Sequence, residues 1–141
     1  MNTRRVIIGG LLAGLVLNVG EAVLHGVLLA DQAAAAMNAL GKDPNSGALG
    51  LTLLILITFV QGLVGMWLYA ACWGRYKSKT LAAVSIGTVV WLLSAVYSAT
   101  YLYAGLPKVL PDGVVWWPVA WEWIEYPLAM IVGASVIAKR D

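Results

Sequence analysis

The stretch that decides the fold is Val6-Ile7-Ile8-Gly9-Gly10-Leu11-Leu12-Ala13-Gly14-Leu15-Val16-Leu17-Asn18-Val19-Gly20-Glu21-Ala22-Val23-Leu24-His25-Gly26-Val27-Leu28-Leu29. It is 24 residues long and apolar apart from Asn18, Glu21 and His25. About 20 apolar residues at 1.5 Å rise cross the hydrocarbon of a bilayer, so this stretch reads as a membrane-spanning helix. A carboxylate inside such a helix costs a few kcal/mol, faces protein or water rather than lipid, and marks a functional site by default. Arg4 and Arg5 precede the run. They read as topology determinants, and the polar interruptions at Asn18, Glu21 and His25 argue for a retained helix over a cleaved signal.

Outward from this stretch the chain repeats the pattern. Of its 141 residues 61% are hydrophobic and only 11% charged, against about a quarter charged in soluble domains. The mean hydropathy is +0.83. Spans are expected over Val6–Leu29, Ala48–Trp73, Leu81–Ala104 and Val114–Ala138. Lipid-exposed backbone must satisfy its own hydrogen bonds, so all four must be helices. The expected fold class is therefore an all-α membrane protein, a single four-transmembrane-helix bundle over residues 1–141. A basic stripe suited to nucleic acid is absent, and the net charge is only +2. The lone Cys72 excludes an intrachain disulfide and any chemistry that needs paired thiols.

Orientation follows from the short loops. Arg4, Arg5, Arg75, Lys77, Lys79, Lys139 and Arg140 lie on one side, and only Lys42 and Lys108 on the other. Both termini are expected to face the cytoplasm, with the chain in the cell inner membrane. In the first outer loop Asp31 is expected to cap a short alanine-rich helix, Gln32 to Leu40, that ends at Gly41. Lys42-Asp43-Pro44-Asn45-Ser46-Gly47 then turns the chain back, and the second outer loop runs from Gly105 to Gly113. Trp67, Tyr69, Trp73 and Tyr76 at one surface, with Tyr101, Tyr103, Trp116 and Trp117 at the other, read as aromatic belts.

Helical spacing then places the polar groups. Gly10, Gly14, Asn18, Glu21 and His25 form one stripe in the first span, and the Gly10/Gly14 pair lets a neighbouring helix approach closely. Glu122 and Glu125, followed by Ala129 and Gly133, form another in the fourth. Pro127 removes a backbone hydrogen bond and is expected to kink that helix. Counting rises from the span ends puts Glu21 and Glu122 each about 12 Å below the outer edge, Glu125 at about 16 Å and His25 at about 6 Å. Ser94, Tyr97, Ser98 and Tyr101 fall at comparable depth, and Gln61 a little deeper.

The expected site is thus Glu21, His25, Glu122 and Glu125, lined by Asn18, Gln61, Tyr97 and Tyr101, and it would bind an ion, proton or small amphipathic ligand. Clustered carboxylates favour a proton-linked or cationic species, and the nearby rings of Tyr97, Trp121, Trp123 and Tyr126 suit stacking on a flat or cationic ligand. Carboxylates with an imidazole also have the donor types of a metal site. However, Glu-x-x-x-His on one helix and Glu-x-x-Glu on the other differ from the paired Glu-x-x-His of di-iron bundles. The residues leave the cofactor unknown.

Three alternatives stand beside this reading. In the first, Glu21 bonds Tyr97 or Ser94 and His25 meets Glu122, locking helix register. In the second, the chain is an accessory subunit of a larger membrane complex, with other membrane subunits or copies of itself as partners besides the lipid bilayer. In the third, it is an intramembrane enzyme acting on a lipid or quinone, with His25 and a glutamate as acid–base pair.

Gly10-Leu11-Leu12-Ala13-Gly14 leading to Asn18-Val19-Gly20-Glu21, together with Trp67-Leu68-Tyr69-Ala70-Ala71, resembles small four-span bacterial inner-membrane proteins of unassigned function. That resemblance implies no activity. A glutamate in the first of four spans is also similar to the small multidrug-resistance transporters. Those chains are shorter and some tolerate dual orientation, whereas this one has a strong basic asymmetry and two further intramembrane glutamates, so no residue role carries over.

Overall fold

The computed structural model describes residues 2–42, 47–105 and 110–137. Asp43 to Ser46 of the first turn, Pro107 and Lys108 of the third loop, and the basic pair Lys139 and Arg140 lie outside the described residues. Among the described residues five helices follow one another: α1 over Thr3–Leu28, α2 over Ala30–Ala39, α3 over Ala48–Arg75, α4 over Lys79–Ala104 and α5 over Asp112–Ala134.

Local chemistry sets the ends. The Asn2 side chain accepts from the Arg5 amide at 3.3 Å and that of Ser78 from the Leu81 amide at 3.1 Å, so α1 and α4 begin on conventional N-caps. At the end of α2 the Lys42 amide reaches the Met37 carbonyl (2.9 Å) and the Gly41 amide that of Asn38 (3.0 Å), with Gly41 at φ 69°. This is the Schellman closure that favours glycine. The stop at Gly41 is as expected, but the start is not. Leu29 occupies the N-cap, and Asp31 lies inside the first turn with no capping role; there its charge still complements the positive helix end.

α1, α3 and α4 are long and apolar enough to cross a membrane. They expose large aliphatic side chains as well as burying them: Val27 is 72% exposed, Leu49 74% and Leu93 70%. A helix that is hydrophobic all round has no water-facing side, which fits a lipid surround. α5 has the length, 23 residues, but Glu122, Glu125, Pro118 and Pro127 lower its apolar character.

α1 packs between α3 and α5, and α5 between α1 and α4. The contacts are made by glycine. A Cβ placed on Gly62 of α3 would strike the backbone of Gly10 and Gly14, and one on Gly10 would come within 2.7 Å of the Leu63 Cα. These are the two glycines whose spacing predicts a close helix approach. On the other side of α1, Gly9 meets Gly133 of α5, and Gly87 of α4 lies against Pro127. Leu17, Met66, Tyr69 and Met130 are fully buried between these seams. Tyr69, expected in an aromatic belt, is instead a core residue stacked on Trp73 at 6.5 Å between centroids. Its hydroxyl has no hydrogen-bond partner. Beside it Lys79 donates to the Ile137 carbonyl at 2.8 Å and lies 5.6 Å from the Trp73 ring, tying α4 to the end of α5.

Both α1 and α4 contain a π-helical turn, at Leu24–Leu28 and Leu92–Val96. In α1 the Leu29 amide reaches back five residues to Leu24 at 2.8 Å. Each turn accommodates one extra residue, and such turns recur at functional sites. Both lie in the half of the molecule that holds the carboxylates.

Candidate functional site

The last straight turns of α1, the middle of α5 and the facing part of α3 bring the polar side chains together. Register explains it. With Gly9 against Gly133 and the two helices antiparallel, α1 and α5 meet again near Gly20 and Glu125. A Cβ at Gly20 would overlap all three heavy atoms of the Glu125 carboxyl group. That carboxyl therefore rests on the α1 backbone, beside Glu21.

Glu125 is 7% exposed, and neither of its carboxylate oxygens has a hydrogen-bond partner. The Trp121 indole, one turn earlier, is near the carboxyl but outside hydrogen-bonding geometry, so its Nε1 is also buried and unpartnered. Buried polar groups are normally paired, and an unpaired one calls for an explanation.

Nearer the end of α1, Glu21 and His25 approach to 3.1 Å between Oε2 and Nε2, with side-chain exposures of 29% and 48%. Glu122, half-buried one turn before Glu125, is within electrostatic range of both. Titratable groups thus run from the half-exposed His25 inward to the enclosed Glu125.

The other expected site residues divide. Asn18 turns toward α3, donating to the Gly14 carbonyl at 2.8 Å and the Ile55 carbonyl at 3.4 Å, while Thr58 donates to its Oδ1 at 3.4 Å. It fastens α1 to α3 rather than lining the carboxylates. Gln61 accepts from the Tyr126 hydroxyl at 3.0 Å, bridging α3 and α5 next to Glu125. Ser94 donates to the Val90 carbonyl of its own helix at 2.7 Å. Tyr97 and Tyr101 are 69% and 65% exposed and turn outward; the structure does not bring them to the carboxylates. The π turn over Leu92–Val96 re-phases the end of α4, which moves both rings off the expected face.

Beneath the polar groups, Leu17, Met66, Ala129 and Met130 are fully buried and close the core. An open apolar patch lies elsewhere, on the exposed face of α3 around Gly50, Leu54 and Ile57. Among the described residues no three His, Cys, Asp or Glu side chains gather as a metal-ligand set. The donor types are present; the convergence is not.

One participant escapes sequence reasoning. Gly20 contributes by lacking a side chain, and only the register of α1 on α5 singles it out; Trp121, expected as a stacking ring, brings a buried, unpaired N–H to the site. Comparison with protein families, curated proteins and solved structures found no match, which leaves the chain's own geometry as the guide to its function.

Proposed function

We propose that this chain is a small polytopic inner-membrane protein, with α5 as a fourth span and both termini in the cytoplasm, that takes up an ion, proton or small amphipathic ligand at a carboxylate site in the outer half of the bilayer. Glu125 is the inner end of the site, Glu122 its neighbour, and Glu21 with His25 its mouth. The observation that carries the reading is the enclosed, unpartnered Glu125 carboxyl beside two further carboxylates. In lipid an uncompensated ionisable group is expensive, and a fold keeps one where its protonation or occupancy does work. The basic asymmetry of the loops supports the orientation.

The test is thermal stability of the purified chain in detergent, across pH and with added sodium, calcium or dodecylammonium. The reading expects at least one of these variables to shift the melting temperature, and Glu125→Gln or Glu21→Gln to blunt that shift. A wild-type melting temperature indifferent to every one of them would remove the site and leave only the topology.

A further inference from the structure

We propose that the species held at Glu125 is a proton and nothing larger, with Gly20 as the residue that sets the size limit; this rests on the carboxylate-site reading above. The first argument is space. The carboxyl lies flush on the α1 backbone, where even one methyl group at position 20 would displace it, and the residue is 7% exposed. The second is the supply of donors. A sodium or calcium ion stripped of water needs several oxygens around it, about six to eight for calcium. Here the Gln61 oxygen already accepts from Tyr126, the buried Trp121 Nε1 near the carboxyl is a donor that repels a cation, and among the described residues Glu125, Glu21, Glu122 and His25 do not converge as a cation-ligand set. A proton needs one oxygen.

The third argument is the route. α1 faces Glu125 with Glu21, and His25 lies beyond it 3.1 Å away. α5 itself contributes Glu122 and Tyr126, while α3 brings Gln61 and α4 brings Ser94, neither titratable. Loading forms one O–H bond on Glu125 as a hydronium ion at the mouth becomes water; release reverses it. Because Leu17, Met66, Ala129 and Met130 seal the other side, the proton returns the way it came. The site reports acidity on one face and conducts nothing across.

The experiment is infrared spectroscopy of the full chain in phospholipid vesicles, following the protonated-carboxyl band against pH with and without added sodium, calcium or dodecylammonium. The expected result is a band that grows on acidification, is lost in Glu125→Gln, and has a midpoint unmoved by all three cations. Gly20→Ala is expected to shift that midpoint, whereas Gly26→Ala, with open space around it, leaves it in place. Should Gly20→Ala not fold, Glu125→Asp withdraws the carboxyl from Gly20 by one methylene and is expected to make the midpoint cation-dependent. A wild-type midpoint that moves with any added cation overturns the proton assignment while keeping the site. An unchanged midpoint in a folded Gly20→Ala overturns the role of Gly20. A chain with neither a Glu125 band nor any cation effect overturns this inference and the site reading together.

Discussion

Gly9 and Gly133 hold α1 and α5 in reciprocal contact: a Cβ on either would come within 2.6 Å of the other's carbonyl oxygen. Backbone cannot yield as a flexible side chain does, so filling this contact must push the helices apart. Gly9→Val is expected to destabilise the fold by about 1–3 kcal/mol, the usual cost of overpacking. Because the same contact sets where Glu125 meets Gly20, the variant should also alter the carboxyl band. A melting temperature equal to wild type would mean that the helices are not this close.

Tyr69 is fully buried with an unpartnered hydroxyl. Leaving such a group without a partner costs about 1–3 kcal/mol. Tyr69→Phe keeps the ring and its stacking on Trp73, and is therefore expected to raise stability by about 1 kcal/mol. A clear loss of stability on heating in detergent would show that the hydroxyl does find a partner.

The Gln61–Tyr126 hydrogen bond is the polar link between α3 and α5. Interhelical bonds of this kind are worth roughly 0.6–2 kcal/mol in membranes. Gln61→Leu and Tyr126→Phe should each cost that much, and the double variant no more than the larger single effect. Strict additivity would indicate that the two side chains do not interact.

At alkaline pH Glu125→Gln is expected to melt above wild type, since it removes an ionisable group with no compensating partner while keeping its shape. Calorimetry on both proteins through a pH series decides this. A variant that melts lower throughout would point to an undetected partner for the carboxyl.

Tyr97→Phe and Tyr101→Phe should leave stability within about 0.5 kcal/mol of wild type, as expected for exposed positions away from packing contacts. A larger loss in either would place its hydroxyl inside the molecule after all.

Much of this arrangement is legible in the residues. The Gly10/Gly14 spacing does identify a close helix contact, and counting rises brings Glu21 into one layer with Glu122 and Glu125, although it levels Glu21 with Glu122 where the structure sets Glu125 against Gly20. Those inferences need only the 3.6-residue period, which α1 keeps as far as Val23. Where the period breaks, the reading breaks too. Buried positions step from Leu24 to Leu29 and from Val90 to Ala95, gaps of five that nothing in the sequence announces. Tyr97 and Tyr101 are misplaced for that reason. Asp31 illustrates a smaller limit, since helix starts are set by how α1 ends rather than by the nearest acidic residue. The glycine beneath Glu125 escapes for another reason. A residue that matters through empty volume carries no chemical label of its own.

The turn over Leu92–Val96 makes chain length itself informative. Deleting one residue there would return α4 to an uninterrupted spiral, with the side chains of Val90 and Ala95 the ordinary four positions apart. Tyr97 and Tyr101 would keep their outward faces and Ala99 its inward one. A single codon's loss is absorbed at this turn, whereas the same loss in the straight part of α4 would rotate everything after it by about 100°.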